Sequence, residues 1–504
     1  MNLVVLSGGT ASNSLTDCFA KLSQDQDQEL TYILPISDNG GSTSEILRVV
    51  GGPAIGDIRS RVAKLVGDPQ VGQLLSYRLP NDNIKAKEEW IAIVEGQHPV
   101  WQQIPTQVKE MCRAFIIHMQ SELLKKTRSA NAFRFEKASV GNFFLTGARL
   151  FLGSLDATVE LLMRIGRCSP HCHIIPCIST NHTHHIAAIL ANGEIIRGQS
   201  QISHPSKPSP VQNQLPPSIS EDGSGFSTKD AAEKETSVDS TSDEEQEEEF
   251  ANPVYILPEL KNSQLHFDKL DVGECFSAPI ERLLYINPYG EEIKPTGNSR
   301  AVSKIEFANP VYILPELKNS QLHFDKLDVG ECFSAPIERL LYINPYGEEI
   351  KPTGNSRAVS KIKRADMVIY SIGSLVTSLL PIVILGNIAD VIADAKDTYK
   401  VLLLNNMRDR ESFWLDGLHY VQLVVDSMSR AVQTHKETKG SKDNTPLNLE
   451  WSNFVSDVVY TSKGEIQVDE HELEARGIRC HCIESEKMEN DSLEQVLKKI
   501  SSLN

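Results

Sequence analysis

Leu3-Val4-Val5-Leu6-Ser7-Gly8-Gly9-Thr10-Ala11-Ser12-Asn13 reads as a short apolar strand running into a loop of glycines and hydroxyls. A second stretch repeats the plan: Tyr32-Ile33-Leu34-Pro35-Ile36, then Ser37-Asp38-Asn39-Gly40-Gly41-Ser42-Thr43. Between them Leu15, Phe19 and Leu22 keep helical spacing, so the pair predicts a βαβ unit whose two strands both end in polar loops. Glycine lets a backbone approach a ligand closely, and free N–H groups at a helix start favour phosphate. In open α/β sheets, ligands bind beyond the carboxyl ends of the strands. Phosphate binding is therefore the first functional expectation. Neither the dinucleotide fingerprint nor the P-loop pattern is present, and a lone Gly-Gly-Thr is as readily a tight turn. Two such loops after consecutive strands say more. Asp38 adds a carboxylate that, beside a phosphate, implies a metal or a sugar hydroxyl; its plainer role is a cap or an Asx-turn.

Working outward, the next informative run is Met367 to Val391, in which Asp390 alone is ionised. Its hydropathy would suit a membrane span, but Ser371, Ser374, Thr377 and Ser378 interrupt it and Pro381 would kink it. A buried parallel strand from Met367 to Tyr370, a hydroxyl-rich loop and a buried helix account for it better. That makes a third polar loop at a strand end. Val401 to Leu404 reads as another strand, ending in Asn405-Asn406, a fourth loop placed to face the ligand. His185 to Arg197 reads as a hairpin turning at Asn192-Gly193. Thr106 to Lys125 carries Val108, Cys112, Phe115, Met119 and Leu123 on one helical face, and residues 73–136 read as a helical subdomain capping the sheet. Val458-Val459-Tyr460 and a helix from Ser492 to Ile500 close the chain. The fold class expected is α/β: a three-layer α/β/α sandwich with a Rossmann-like, mostly parallel sheet, a helical cap and a disordered acidic insert.

Hydrophobic residues make up 40% of the 504, enough for a large core. No basic segment precedes an apolar signal-like run, and nine cysteines without small-scaffold spacing argue against a disulfide framework. A cytoplasmic protein is expected. Cys168, His171, Cys172, His173 and Cys177 crowd together without the spacing of a zinc module. His182, His184 and His185 sit at a strand end, where an exposed turn is the plainer reading. The net charge is −17, of which −10 falls within residues 220–249. The remaining −7, with no basic aromatic stripe, argues against a nucleic-acid surface.

Residues 205–248 have the composition of a disordered acidic linker, in which Ser237, Ser240 and Ser242 precede acidic runs that would suit an acidophilic kinase. Directly after it, Glu249 to Ile305 recurs without a change as Glu306 to Ile362. A solenoid repeat keeps its core and drifts elsewhere, whereas identity over 57 residues marks a recent duplication or an assembly error. Strand-like runs such as Leu283-Leu284-Tyr285-Ile286 occur in both copies. The second copy is expected to join the fold, because its end continues directly into Lys363-Arg364-Ala365 and the following strand. The first is expected to be redundant. Domains are thus expected at 1–204, 205–248, 249–305 and 306–504.

Gly8-Gly9-Thr10, Asp38-Asn39-Gly40-Gly41-Ser42 and Gly56-Asp57-Ile58-Arg59 together resemble the 2-phospho-L-lactate transferase (CofD-like) family. Ser139-Val140-Gly141-Asn142, Gly198-Gln199-Ser200-Gln201-Ile202 and the stretch Ala365 to Pro381 follow in the same order. The Gly-Gly-Ser form looks closer to the gluconeogenesis-factor (YvcK-like) branch. Ala11 stands where the family usually has Gly, Asn39 where it usually has a second Asp, and Ser371-Ile372-Gly373-Ser374 where it usually has Gly-Pro-Gly-Ser. The resemblance implies a nucleoside diphosphate ligand held by Gly8, Gly9, Thr10, Ser12, Asn13, Asn39, Gly40, Gly41, Ser42, Thr43, Asp57, Arg59, Asn142, Gly373, Ser374, Thr377 and Ser378. Asp38 is the catalytic candidate and the candidate ligand for Mg2+. Arg59 suits a bidentate phosphate contact, or a salt bridge to a nearby acid; Asn142 suits a base or ribose contact, or an N-cap.

Two functions follow. One is transfer of a phosphoryl-linked group from a nucleoside diphosphate ester to an alcohol, with magnesium. The other is a non-catalytic nucleotide-sugar-binding regulator of carbon metabolism. Neither calls for nucleic acid or membrane as a partner. A homodimer and phosphorylation of the linker stay open, as does a third reading in which the duplicated chain is non-functional.

Overall fold

A computed structural model of the chain describes residues 1–25, 28–38, 40–127, 132–203, 332–438 and 449–502. The acidic linker, the whole first copy of the repeat, residues 306–331 of the second copy and Asn39 lie outside the described residues. The described strands, in chain order, are β1 (Leu3–Leu6), β2 (Leu30–Leu34), β3 (Cys172–Pro176), β4 (His185–Leu190), β5 (Ile195–Arg197), β6 (Ile337–Ile343), β7 (Glu349–Ile350), β8 (Met367–Tyr370), β9 (Tyr399–Leu403), β10 (Asp457–Thr461) and β11 (Arg479–Ile483).

Seven of them form one sheet in the order β11-β10-β9-β8-β1-β2-β3, and every pairing in it is parallel. A parallel sheet with helices on both faces buries its strands on both sides, so its strands are written as unbroken apolar runs. β1, β2 and β8 are buried at every position. Register is set at the centre, where Leu6 lies opposite Ile33 of β2 and Tyr370 of β8. From β1 the chain builds outward through β2 and β3, then returns to β1's other flank with β8 and proceeds through β9, β10 and β11. The strand order therefore reverses between β1 and β8. Loops leaving neighbouring strands on either side of such a reversal part in opposite directions and open a crevice at the carboxyl edge.

The hairpin expected around Asn192-Gly193 is β4 and β5, with Gly193 at φ 86° as its turn requires. β4 pairs on its other side with β6, which belongs to the second copy of the repeat, giving an antiparallel sheet in the order β5-β4-β6-β7. The same copy supplies the Ser356–Ile362 helix, which leads into β8. The Thr106–Lys126 helix buries Cys112, Ile116, Met119 and Leu123 and lies against the Val140–Leu152 helix, part of a helical cap with Asn83–Glu95. No single helix among the described residues is long and apolar enough to cross a membrane. The apolar pair Leu375–Val383 and Gly386–Asp394 bends by 75° and is mostly buried in the protein core.

Candidate functional site

The crevice at the reversal is a cavity of about 710 Å³. Three strand-end loops line it: Gly8, Gly9 and Thr10 after β1, Asp38 and Gly40 to Thr43 after β2, and Gly373, Ser374, Thr377 and Ser378 after β8. The start of the Gly56–Leu65 helix adds Asp57 and Arg59, and the start of the Val140–Leu152 helix adds Asn142. The structure thus brings together most of the residues singled out in the sequence. Asn39 lies outside the described residues.

Two expected site residues stand behind the wall. Ser12 is buried, its hydroxyl donating to Gly8 O and accepting from Arg61. Asn13 donates from Nδ2 to Ser60 Oγ at 3.2 Å. Both shape the first loop from beneath.

Close packing rather than turn geometry explains Gly9. A Cβ there would come within 2.6 Å of Asp57 Cα, so the loop can lie against the Gly56–Leu65 helix only without a side chain. Gly41, at φ 56°, takes the left-handed backbone that starts the Ser42–Val49 helix. The amide of Gly9 is not free for phosphate, since it donates to Asp57 Oδ1 at 2.7 Å. Nor are the amides of Gly40, which donates to Asp38 Oδ1 at 3.1 Å, and Gly373, which donates to Asn405 Oδ1 at 3.0 Å. The amides of Gly8, Thr10, Gly41 and Ser374 line the cavity and meet no protein acceptor among the described residues. They are the groups with capacity left for an anion.

The third loop, expected as a polar loop at a strand end, meets an acceptor of the chain's own. Glu411 Oε2 accepts from Val376 N at 2.8 Å and Thr377 N at 3.0 Å, and Thr377 Oγ1 donates to Glu411 Oε1 at 2.6 Å. A carboxylate of the chain's own already occupies this helix start, and burial with the nearby charge of Asp409 pushes Glu411 up to about 7. Asn405 returns a hydrogen bond from Nδ2 to Gly373 O at 2.7 Å, so it pins the loop instead of facing the ligand. Asn406 reaches Glu486 O.

Electrostatically the cavity is divided. Asp57 is buried beside Asp38; burial first, then Asp38's charge, pushes it up to about 7. Asn142 is neither N-cap nor solvent-facing: Ser139 is the cap, and the Asn142 amide ties Ser42 Oγ (3.0 Å), Thr43 Oγ1 (3.2 Å) and Arg59 Nε (3.3 Å) into one hub. Arg59 is thus held by a neutral side chain, not by Asp57. Sequence reasoning missed Arg78, Lys137, Gln199, Ser203 and Ser60, which also line the cavity, and Arg61 beneath it. Gln199 sits inside a quoted segment, but the others carried no local signal.

A two-carboxylate, hydroxyl-bearing corner is an oxygen donor set. Asp38 Oδ2 and Thr43 Oγ1 both approach the same face of Gly56, and Asp57 brings a second carboxylate near enough for Asp38's charge to add to the effect of its burial. The corner therefore fits Mg2+. Elsewhere His173 Nε2 meets Glu29 at 3.3 Å and Cys177 Sγ meets the Tyr342 hydroxyl, and no group of three or more His, Cys, Asp or Glu among the described residues is arranged for a metal.

The family model described as 2-phospho-L-lactate transferase CofD matches residues 3–500. An uncharacterized protein of Saccharomyces cerevisiae, YNL011C, is 54% identical over 506 residues, covering 100% of both chains. The crystal structure of protein BH3568 from Bacillus halodurans is similar in fold, with a TM-score of 0.51, 14% identity and 99% of each chain covered. A second structure of that protein, described as a member of the UPF0052 family, gives a TM-score of 0.51 at 13% identity.

Proposed function

The chain belongs to the 2-phospho-L-lactate transferase CofD family, and from that membership we propose that it binds a nucleoside diphosphate ester and transfers a phosphoryl-linked group to an alcohol. One observation carries the reading: three loops from β1, β2 and β8, distant in sequence, converge on one cavity at the reversal of strand order. There the amides of Gly8, Thr10, Gly41 and Ser374 cradle the diphosphate. Asp38 orients the acceptor hydroxyl, and Asn142 holds Ser42, Thr43 and Arg59 in fixed relation while both substrates bind. Asp38 and Asp57 would hold magnesium, which when bound neutralises phosphate charge.

A second reading, a nucleotide-sugar-binding regulator without chemistry of its own, is favoured by Asn39, an amide where the family usually has a second Asp, which leaves one carboxylate fewer for a metal. A thermal-shift screen of the full chain separates the two, using GDP, GTP, UDP, UDP-sugars and NAD with and without magnesium. A ligand at 100 times its Kd adds about 2.7 kcal/mol of stability. A magnesium-dependent shift with guanosine nucleotides supports the transferase. A metal-independent shift with UDP-sugars supports the regulator. No shift with any of them would sink both. Gly9→Ala, which drives a Cβ into the Asp57 backbone, should abolish whichever shift is seen.

A further inference from the structure

A second cavity, of about 380 Å³, lies between the antiparallel sheet and two helices, Gly386–Asp394 and Gly417–Thr438. It shares no lining residue with the strand-end crevice. Its volume is in the range of small-molecule sites, which begin at about 300 Å³. Leu340 and Ile350 from the sheet side and Ile384 and Ala431 from the helix side make its body apolar. Several of its polar groups are already satisfied within the protein. Arg339 Nη2 donates to Glu349 Oε1 at 2.8 Å, and Glu349 is the one acid among the described lining residues. Asn387 accepts from Gly354 N and donates to Gly354 O, both at 2.8 Å.

Three groups are left over. Ser427, 6% exposed, lines the cavity from the middle of the Gly417–Thr438 helix, and its hydroxyl meets no hydrogen-bond partner among the described residues. A buried hydroxyl left unpaired is costly, and packing alone would be served as well by alanine. Lys351 is exposed and Arg430 half-buried in the same lining, and neither has a carboxylate within 4.0 Å among the described residues. Arg430 Nη1 donates to Glu338 O at 3.3 Å, which uses one arm of its fork and leaves the other. The Gly386–Asp394 helix also begins at this cavity, behind Leu385, which supplies no side-chain cap, so the helix's positive end adds to the two cations. The unused groups thus combine an apolar body, one buried hydroxyl and a net positive rim.

We propose that this cavity is a second ligand site, for a small organic anion with an apolar body. The body fills the space between the antiparallel sheet and the two helices, the Ser427 hydroxyl bonds a ligand oxygen, and Lys351 and Arg430 hold the charged head, a carboxylate or a phosphate monoester. The site is separate from the strand-end crevice and does not depend on what that crevice binds.

Calorimetric titration of the full chain tests this with four probes that share one alkyl chain: octanoate, octyl phosphate, octanol and octylamine. At least one of the two anions should bind saturably and at least about tenfold more tightly than octanol, as one charge-assisted contact provides. Octylamine should bind most weakly. The tighter anion tells a carboxylate site from a phosphate-monoester site. Ala431→Trp fills the cavity and should abolish binding. Arg430→Gln keeps the cavity's shape and should bring the anion down to the affinity of octanol. Both positions lie outside the duplicated segment, so the first copy cannot restore what they remove. Melting curves establish that the variants are folded, and should Ala431→Trp not fold, Arg430→Gln decides. No saturable binding of either anion, equal affinity for anion and octanol, or an affinity unchanged in Arg430→Gln overturns the proposal, as does binding that survives in folded Ala431→Trp.

Discussion

Arg61 is a fully buried cation lying directly under the first glycine loop. Its guanidinium donates from Nη2 to Ser7 Oγ, Gly8 O and Ser12 Oγ, and from Nη1 to Ser12 O and Thr16 Oγ1, while stacking 4.3 Å over the Tyr32 ring. A planar fork with several donors suits a task in which four neighbouring residues must be held at once. The charge also lies beneath the amides offered to the ligand, where it adds to their field. Arg61→Met should leave several buried acceptors unpaired and cost about 3 kcal/mol in urea unfolding. Arg61→Lys keeps the charge but not the fork. It should recover less than half of that loss and leave ligand affinity reduced, because the loop amides are no longer aligned. Equal affinity in Arg61→Lys and the natural chain would show that charge alone suffices. Nothing local in the sequence distinguishes Arg61 from Arg59, two positions earlier in the same helix. Its role depends on which strand-end loop that helix underlies, and this is settled by tertiary packing.

At the scale of elements, legibility follows burial. β8 could be read to its bounds, Met367 to Tyr370, because a central parallel strand must be apolar on both faces. β11, Arg-Cys-His-Cys-Ile, could not, because an edge strand partly open to solvent keeps no such run. The three glycine loops could be read for the same kind of reason: close backbone approach needs particular residues, and they recur after strands. The loop after β8 shows where that reading stops. Its hydroxyls resemble a phosphate site, yet Thr377 is committed to Glu411, which arrives from beyond β9.

Glu411 also makes a testable contribution. Its folded pKa of about 7 lies above the value near 4.5 expected when unfolded. The stabilisation from the neutral form is fully present below that unfolded value and is lost as the pH rises through about 7. The melting temperature of the natural chain should therefore fall between about pH 5 and pH 8. Glu411→Gln can still accept from the Val376 and Thr377 amides and donate to the Thr377 hydroxyl. It should flatten that decline and melt higher than the natural chain at the alkaline end. A slope unchanged by the substitution would place the pH dependence elsewhere.

For the whole molecule the governing fact is the seat that the second repeat copy fills. β6 runs antiparallel along β4 from Ile343 opposite His185 to Ile337 opposite Leu190. Tyr342, nearly fully buried, donates from its hydroxyl to Pro381 O at 2.7 Å, joining the antiparallel sheet to the apolar helices after β8. The first copy has the same sequence and contains the same tyrosine as Tyr285. Deleting 249–305 or 306–362 yields one and the same polypeptide. That single-copy chain should fold with nearly unchanged stability, because closure entropy grows slowly with length and 57 fewer residues between Ser203 and Cys332 change it by only about 0.5 kcal/mol. The corresponding Tyr→Ala change in the single-copy chain removes a buried ring and its hydrogen bond, and should cost about 4 kcal/mol. In the full chain, Tyr342→Ala should cost under about 1 kcal/mol, because the intact first copy offers the same side chains to the same seat for a small difference in closure entropy. Tyr285→Ala by itself should be neutral, and the two changes together should restore the full loss. If instead Tyr342→Ala is as costly in the full chain as in the single-copy chain, only the second copy reaches β4, and its direct continuation into β8 is what excludes the first.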